Sequence, residues 1–353
     1  MLSNILTPDV LTLGYLLCSV LFILGIKGLA HPKTALRGNT LAMVGMVVAM
    51  VLAALDPAVT VYGWMLAGVA VGGAIGLWQG RRVKMTDMPQ WVAYFNGFVG
   101  LAAALVTGGE YLRANSLGTA DTLFLFNVVL SLFIGLVTFS GSMVAGGKLA
   151  GWAPSRSIKL PLGHISTLAL LLGCAAAGAW LMLADGGLMA LGVLAVLSLA
   201  VGLALVFPIG GADMPVVVSL FNAYSGWASV LPGFMLGNLL LVVAGTLVGA
   251  SGTILTMLMC AAMNRSFMNV LLGGFGADDS ANATATAATG TVRQAGVDDV
   301  AFMMSNSRKV VLVPGYGMAV AQAQHALKDV MLTLEAKGVE VRFAIHPVAG
   351  RMP

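Results

Sequence analysis

A series of apolar runs, each long enough to cross a lipid bilayer, constrains this chain more than any other feature. A spanning helix needs about 20 apolar residues, and windows of that kind centre near Leu16, Val47, Val69, Phe98, Ile134, Leu171, Val196, Val218 and Val248. They predict about nine transmembrane helices. Of 353 residues, 59% are hydrophobic and 9% charged, against roughly 25% charged in soluble domains. The chain therefore reads as an α-helical polytopic membrane protein. Residues 1–28 carry no basic stretch ahead of the first run, so that run is expected to be a first spanning helix and not a cleaved signal.

Charge sorts the loops. Lys27, Lys33 and Arg37 follow the first run, Arg81, Arg82 and Lys84 the third, and Lys148, Arg156 and Lys159 the fifth, whereas the alternate loops hold only Arg113. The positive-inside rule then puts the basic loops in the cytoplasm, the N-terminus outside, and everything after the ninth helix in the cytoplasm. The loop from Pro208 to Ala212 has no basic residue and is assigned by alternation alone. The formal net charge of +4 is explained by these loops, and no basic patch with interleaved aromatics points to nucleic acid. Cys18, Cys174 and Cys260 fall inside apolar runs at no metal-ligand spacing and read as small buried hydrophobes. No metal site is expected.

Polar chemistry is concentrated in a duplicated segment. Asp87-Met-Pro-x-x-Val92-x-x-Phe95-Asn96-x-x-x-Gly100 matches Asp213-Met-Pro-x-x-Val218-x-x-Phe221-Asn222-x-x-x-Gly226 at every quoted position. The following runs echo too, Leu136-Val137-x-x-Ser140-Gly141-Ser142 against Leu247-Val248-x-x-Ser251-Gly252-Thr253. Helices four and five are thus expected to repeat as eight and nine in the same direction through the membrane, a parallel repeat. Each Asp-Met-Pro reads as a helix start, with Asp as N-cap and Pro in the first turn. Each Asn follows nine residues later, about 13 to 14 Å deep at 1.5 Å per residue, near the middle of the hydrocarbon core. Two readings fit Asn96, Asn222, Ser140, Ser142 and Ser251. One is interhelical hydrogen bonding; the other is a hydrated path for a small ion, with a proton favoured because no carboxylate cluster or carbonyl ring for a metal cation accompanies them. Glycines at Gly68-xxx-Gly72-xxx-Gly76 and Gly245-xxx-Gly249 predict close helix approach.

From 264 to 305 the composition shifts to Ala, Thr, Gly, Ser and Asp, which reads as a linker between a transmembrane domain (1–263) and a cytoplasmic one (306–353). In the latter, Lys309–Pro314 reads as a strand, Gly315-Tyr-Gly317-Met-Ala-Val-Ala321 opens a helix running toward Lys337, and Val339–Ile345 is a second strand. This βαβ pattern predicts a Rossmann-like nucleotide site, with the glycine turn and helix N-terminus at a pyrophosphate. Arg351, where an acidic residue would hold a ribose 2′-hydroxyl, favours NADP over NAD. A lone βαβ unit covers too little of a sheet, so the domain is expected either to be completed by another chain or to be truncated at Pro353. His31 and His325 read as solvated and His164 as interfacial.

Taken together, Gly210–Ser219, Asn222–Trp227, Met263-Asn-Arg-Ser266, Pro314–Gln324 and His346–Pro353 resemble the beta subunit of proton-translocating (Re/Si-specific) NAD(P) transhydrogenase, over the whole chain. The resemblance implies an enzyme subunit that couples hydride transfer between NAD(H) and NADP(H) to inward proton movement. It implies NADP(H) on this chain's cytoplasmic domain and NAD(H) on a partner alpha subunit, in an alpha2-beta2 assembly of a bacterial cytoplasmic (inner) membrane. It further implies that Gly315, Tyr316, Gly317, Met318, Ala319, Val320, Ala321 and Val348, Ala349, Gly350, Arg351, Met352, Pro353 contact NADP. Asn222 matches a proton-path residue, and Asp213 and Arg265 match residues at the membrane face below the nucleotide domain. Some family members carry a titrating histidine where this chain has Asn96, so the ionisable relay is expected elsewhere. The rival reading is a secondary transporter or channel with a regulatory dinucleotide-binding domain.

Overall fold

The computed structural model describes residues 8–29, 31–56, 59, 61–154, 157–158, 164–184, 186–262, 266–267, 296–315, 318 and 323–344. Contacts divide the chain into two units, one comprising Met1–Met257 with Val270–Gly273, the other Leu258–Asn269 with Gly274–Pro353.

In the first unit every apolar window becomes a helix: α1 (Pro8–Leu29), α2 (Pro32–Ala54), α3 (Tyr62–Arg82), α4 (Met88–Leu117), α5 (Thr122–Ala150), α6 (His164–Leu183), α7 (Gly187–Val206), α8 (Met214–Met235) and α9 (Leu239–Ala262), the last running on past the unit boundary. Eight of these are long and apolar enough to cross a membrane, and α3 is not among them. Glycines dilute its apolar run, which ends on Gln79, Arg81 and Arg82, the Arg82 guanidinium lying 4.8 Å over the Trp78 ring. Among the described residues, the nine expected crossings thus correspond to nine helices, of which eight qualify as membrane spans by length and composition.

The repeat is visible in the backbone. A 3-10 turn, Met85–Asp87 or Gly211–Asp213, leads directly into α4 or α8, with Pro in the first turn of each. Here the expectation for the aspartates needs correction. Asp87 and Asp213 occupy the N-cap position with helical backbone angles, and neither side chain makes a cap hydrogen bond. The 3-10 turn has already aligned the chain with the helix, so the extended geometry that lets a capping side chain reach back to the first amides is lost. The copies also end differently. α4 runs for 30 residues to Gly118, whereas Pro232 interrupts the amide ladder of α8, which stops at 22 residues. Asn238 then starts α9 by accepting from Leu241 N–H at 3.2 Å.

Helix packing follows the small residues. A Cβ at Gly100 would lie 2.5 Å from the Gly135 carbonyl, and one at Gly135 2.6 Å from the Gly100 carbonyl, so α4 and α5 cross backbone to backbone. α8 and α9 do the same at Gly226, Gly245 and Gly249. α5 is the central helix, packed against α4, α7 and α8 and buried along most of its length. The other expected glycine seam is not an internal one. Among the described residues nothing lies within 4 Å of a Cβ at Gly68, Gly72 or Gly76, and no residue of α3 is buried.

In the second unit the expected linker ends in a helix, α10 (Val297–Ser305), whose first turn carries Asp298 and Asp299. The Gly296 N–H donates to Asp299 Oδ2 at 3.1 Å, which fixes this start. Strand β1 (Lys309–Leu312), helix α11 (Gln324–Ala336) and strand β2 (Glu340–Phe343) complete the unit. The strands pair in parallel, Lys309 opposite Glu340 through Leu312 opposite Phe343. This is the βαβ pattern read from the sequence, although the described part of its helix begins at Gln324.

Candidate functional site

The candidate path residues lie on α4, α5, α8 and α9. Asn96, in the third turn of α4, is 7% exposed, and its Nδ2 donates to the carbonyl of Val218 on α8 at 3.3 Å. Val218 precedes Asn222 by one helical turn, so Asn96 reaches the second repeat copy just beside Asn222. Asn222 is half-buried, and its carbonyl accepts from Ser225 Oγ at 2.8 Å. The two asparagines are thus neighbours through a backbone carbonyl.

Ser140 and Ser142 are both buried on α5, at 6% and 0% exposure, and they differ in how they are satisfied. Ser140 Oγ donates to the Leu136 carbonyl at 3.0 Å and packs against Gly202 of α7. Ser142 Oγ has no hydrogen-bond partner among the described residues, and a Cβ at Gly97, next to Asn96, would lie 3.1 Å from Ser142 Cβ. Tyr94, one turn before Gly97, packs its ring against Gly146 and likewise has a buried, unpartnered hydroxyl. Two unsatisfied hydroxyls thus lie where α4 meets α5, at the turns around Gly97 and Gly146. A buried hydroxyl without a protein partner is suited to water.

Ser251 is placed otherwise. It lies on an exposed face of α9 and bonds its own helix at the Val248 carbonyl, 3.1 Å away. In the second hairpin the buried hydroxyls of Ser219 and Thr256 lie 3.0 Å apart, both also meeting the Gly252 carbonyl. A hydroxyl pair at other positions joins the first hairpin, where Thr107 and Ser131 lie 2.6 Å apart with neither exposed. Sequence reasoning passed over these four residues because single hydroxyls in apolar runs carry no motif. It also read Lys148 as a loop charge; the residue is 3% exposed within the last turn of α5.

At the membrane-face end, Asp213 is half-buried, and its N–H bonds the Gly210 carbonyl at 3.1 Å. Arg265 lies outside the described residues. Of the dinucleotide residues, Gly315 and Met318 are described. Met318 N–H donates to the Gly315 carbonyl at 3.1 Å in a turn after β1, and among the described residues a Cβ at Gly315 would meet nothing within 4 Å. An open glycine backbone at the end of a parallel strand suits the close approach of a phosphate. Tyr316, Gly317, Ala319, Val320, Ala321, Val348, Ala349, Gly350, Arg351, Met352 and Pro353 lie outside the described residues.

Comparison with known proteins converges on the same reading. The model of the family described as NAD(P) transhydrogenase beta subunit matches residues 11–353. NAD(P) transhydrogenase subunit beta of Rhodospirillum rubrum is 45% identical over 354 residues, covering 99% of this chain and 76% of that protein. NAD(P) transhydrogenase subunit beta of Rhodospirillum rubrum strain ATCC 11170 is likewise 45% identical over 354 residues, covering 99% of this chain and 76% of that protein. The chain belongs to the NAD(P) transhydrogenase beta subunit family.

Proposed function

We propose that this chain is the membrane and NADP(H)-binding subunit of an enzyme that couples hydride transfer between NAD(H) and NADP(H) to proton movement across a bacterial inner membrane. The observation that carries the proton part is the Asn96 bond to Val218, which joins the two repeat copies one helical turn before Asn222; the unsatisfied hydroxyls of Tyr94 and Ser142 lie on the adjoining α4–α5 contact. Neither asparagine titrates. Their amides orient water, Ser140 and Ser142 line the same crossing, and the titrating group belongs to a helix of the alpha subunit. Ser251, on the exposed face of α9, is available to such a helix.

Gly315 and Met318, with the flanking residues Tyr316 to Ala321 and Val348 to Pro353, would hold NADP(H), and the bound nicotinamide supplies the hydride chemistry. NAD(H) belongs to the alpha subunit, in an alpha2-beta2 assembly. The N-terminus lies outside and the C-terminus in the cytoplasm, as the basic loops require. Asp213 and Arg265 pass the nucleotide's redox state to the path, so that Asn96 and Asn222 face one side of the membrane at a time.

The test is a vesicle assay of NADPH reduction of an NAD analogue, using this chain in complex with an alpha subunit under an imposed proton gradient. The rate is expected to follow the gradient, and Asn222→Leu to weaken that response. A rate indifferent to the gradient overturns the coupling, and full coupling in Asp213→Asn overturns the gate.

A further inference from the structure

Lys148 is a charged side chain buried at the end of a membrane helix, and the proton path does not use it. Its ammonium carries three N–H donors and no acceptor. All three are directed at the end of α7: Nζ lies 3.2 Å from the Val206 carbonyl, 2.7 Å from that of Phe207 and 2.7 Å from that of Ile209. The last carbonyls of a helix lack intrahelical partners and carry the negative end of its dipole. The Val206 and Phe207 carbonyls each also accept one backbone N–H, from Ile209 at 3.1 Å and Ile158 at 3.0 Å, so the ammonium takes their remaining lone pairs at the negative end of the dipole, and the fit explains how the lysine tolerates 3% exposure.

The position of this contact gives it a mechanical meaning. Ile209 is followed by Gly210, whose carbonyl takes the Asp213 N–H, and Asp213 leads into α8. On the other side, Lys148 is on the helix that carries Ser140 and Ser142. α5 and α7 are also pressed together deeper in the membrane, where a Cβ at Gly202 would lie 2.5 Å from the Val137 carbonyl and 3.0 Å from Gly141 N. The ammonium therefore fastens the Asp213 segment to the helix bearing the path serines, and a shift of one must carry the other.

We infer that Lys148 is a positioning residue for energy coupling, tying the α7–α8 segment that carries Asp213 to the path helix α5. The inference rests on the proposed function above, and the experiment separates the two. The complex of this chain with an alpha subunit is assayed for NADPH reduction of an NAD analogue, in detergent and in vesicles under an imposed proton gradient. A wild-type complex with no gradient response overturns the proposed function, whatever Lys148 does. Given that response, Lys148→Met is expected to keep the detergent rate within about twofold and to lose about tenfold of the gradient response, inside the roughly 5- to 150-fold range of site-to-site coupling. Lys148→Arg should recover much of it, since a cation with several donors is restored. A full gradient response in Lys148→Met overturns the inference, as does a parallel fall of both rates, which marks a purely structural cap. Should Lys148→Met fail to reach the membrane, Lys148→Gln, with two donors left, is read by the same pair of rates. A selective loss of about fivefold then supports the inference, and an unchanged response overturns it.

Discussion

Asn96 donates its side-chain amide to the Val218 carbonyl at 3.3 Å, the carbonyl that the α-helical ladder also assigns to the backbone N–H of Asn222. The equivalent asparagines of the two repeat copies thus converge on one acceptor. The Asn222 side chain itself is half-buried.

That arrangement sets the magnitude expected for Asn96→Ala. The α4–α8 contact loses one hydrogen bond within the membrane, which averages about 0.6 kcal/mol and reaches at most about 1.7. Reversible unfolding of the purified chain in mixed micelles checks this. A loss far above that range would mean that Asn96 holds more than Val218.

The glycines divide into two classes with opposite expectations. At Gly100 a side chain would run into the Gly135 carbonyl at 2.5 Å and Thr138 Cβ at 2.9 Å, and backbone cannot yield as a flexible side chain can. Gly100→Leu should destabilise the chain by at least the roughly 1–3 kcal/mol of an overpacked core. Gly72, with nothing within 4 Å among the described residues, should accept Leu within about 0.5 kcal/mol in the isolated chain. Thermal unfolding of both variants in detergent compares them directly.

Outside the membrane, Glu340 gives a pH expectation. Arg342 Nε lies 2.6 Å and Lys309 Nζ 3.6 Å from its Oε1, and the Arg342 hydrogen bond above all holds the carboxyl below the usual range. A depressed folded value means that the contribution is complete above the unfolded value of about 4.3 and disappears as pH falls through the lower folded value. Because the group is fully exposed, solvent screens the effect. Glu340→Gln should therefore leave stability near neutral pH almost unchanged and flatten only the acid end of the profile, below about pH 4.3. Acid unfolding of the two chains side by side reads the difference.

These cases show what the sequence could and could not reveal. The nine helices and the duplicated hairpin were legible because both depend on local patterns, apolar length and a gap-free match around Asp-Met-Pro. The βαβ unit was legible for the same reason, in the alternation of strand and helix signals. Partner identity was not. The Gly68, Gly72 and Gly76 seam has the same spacing as Gly245 and Gly249, yet among the described residues only the second lies against another helix, because spacing shows that close approach is possible and not what approaches. Lys148 was misread because its charge at a helix end fits the positive-inside rule equally well in a loop or buried. Only tertiary contact shows its three acceptors, Val206, Phe207 and Ile209. Most of the dinucleotide residues fall outside the described residues, so their assignment still rests on the motif.

The two buried hydroxyl pairs give the last expectation. Thr107 and Ser131 hold α4 to α5 at 2.6 Å, and Ser219 and Thr256 hold α8 to α9 at 3.0 Å. Ser219 and Thr256 also share the Gly252 carbonyl, so either hydroxyl keeps a partner if the other is removed. Thr107 and Ser131 have no such alternative among the described residues. Removing one member leaves the other buried and unpaired, at a cost of about 1–3 kcal/mol. Removing both leaves only apolar surface, which should cost less than the sum of the single changes. A double-mutant cycle of Thr107→Val and Ser131→Ala, read by unfolding in micelles, should therefore show a coupling of about 0.6 kcal/mol, the membrane average. The cycle of Ser219→Ala and Thr256→Val should show less. Equal couplings in the two hairpins would mean that the shared carbonyl gives the second pair no relief.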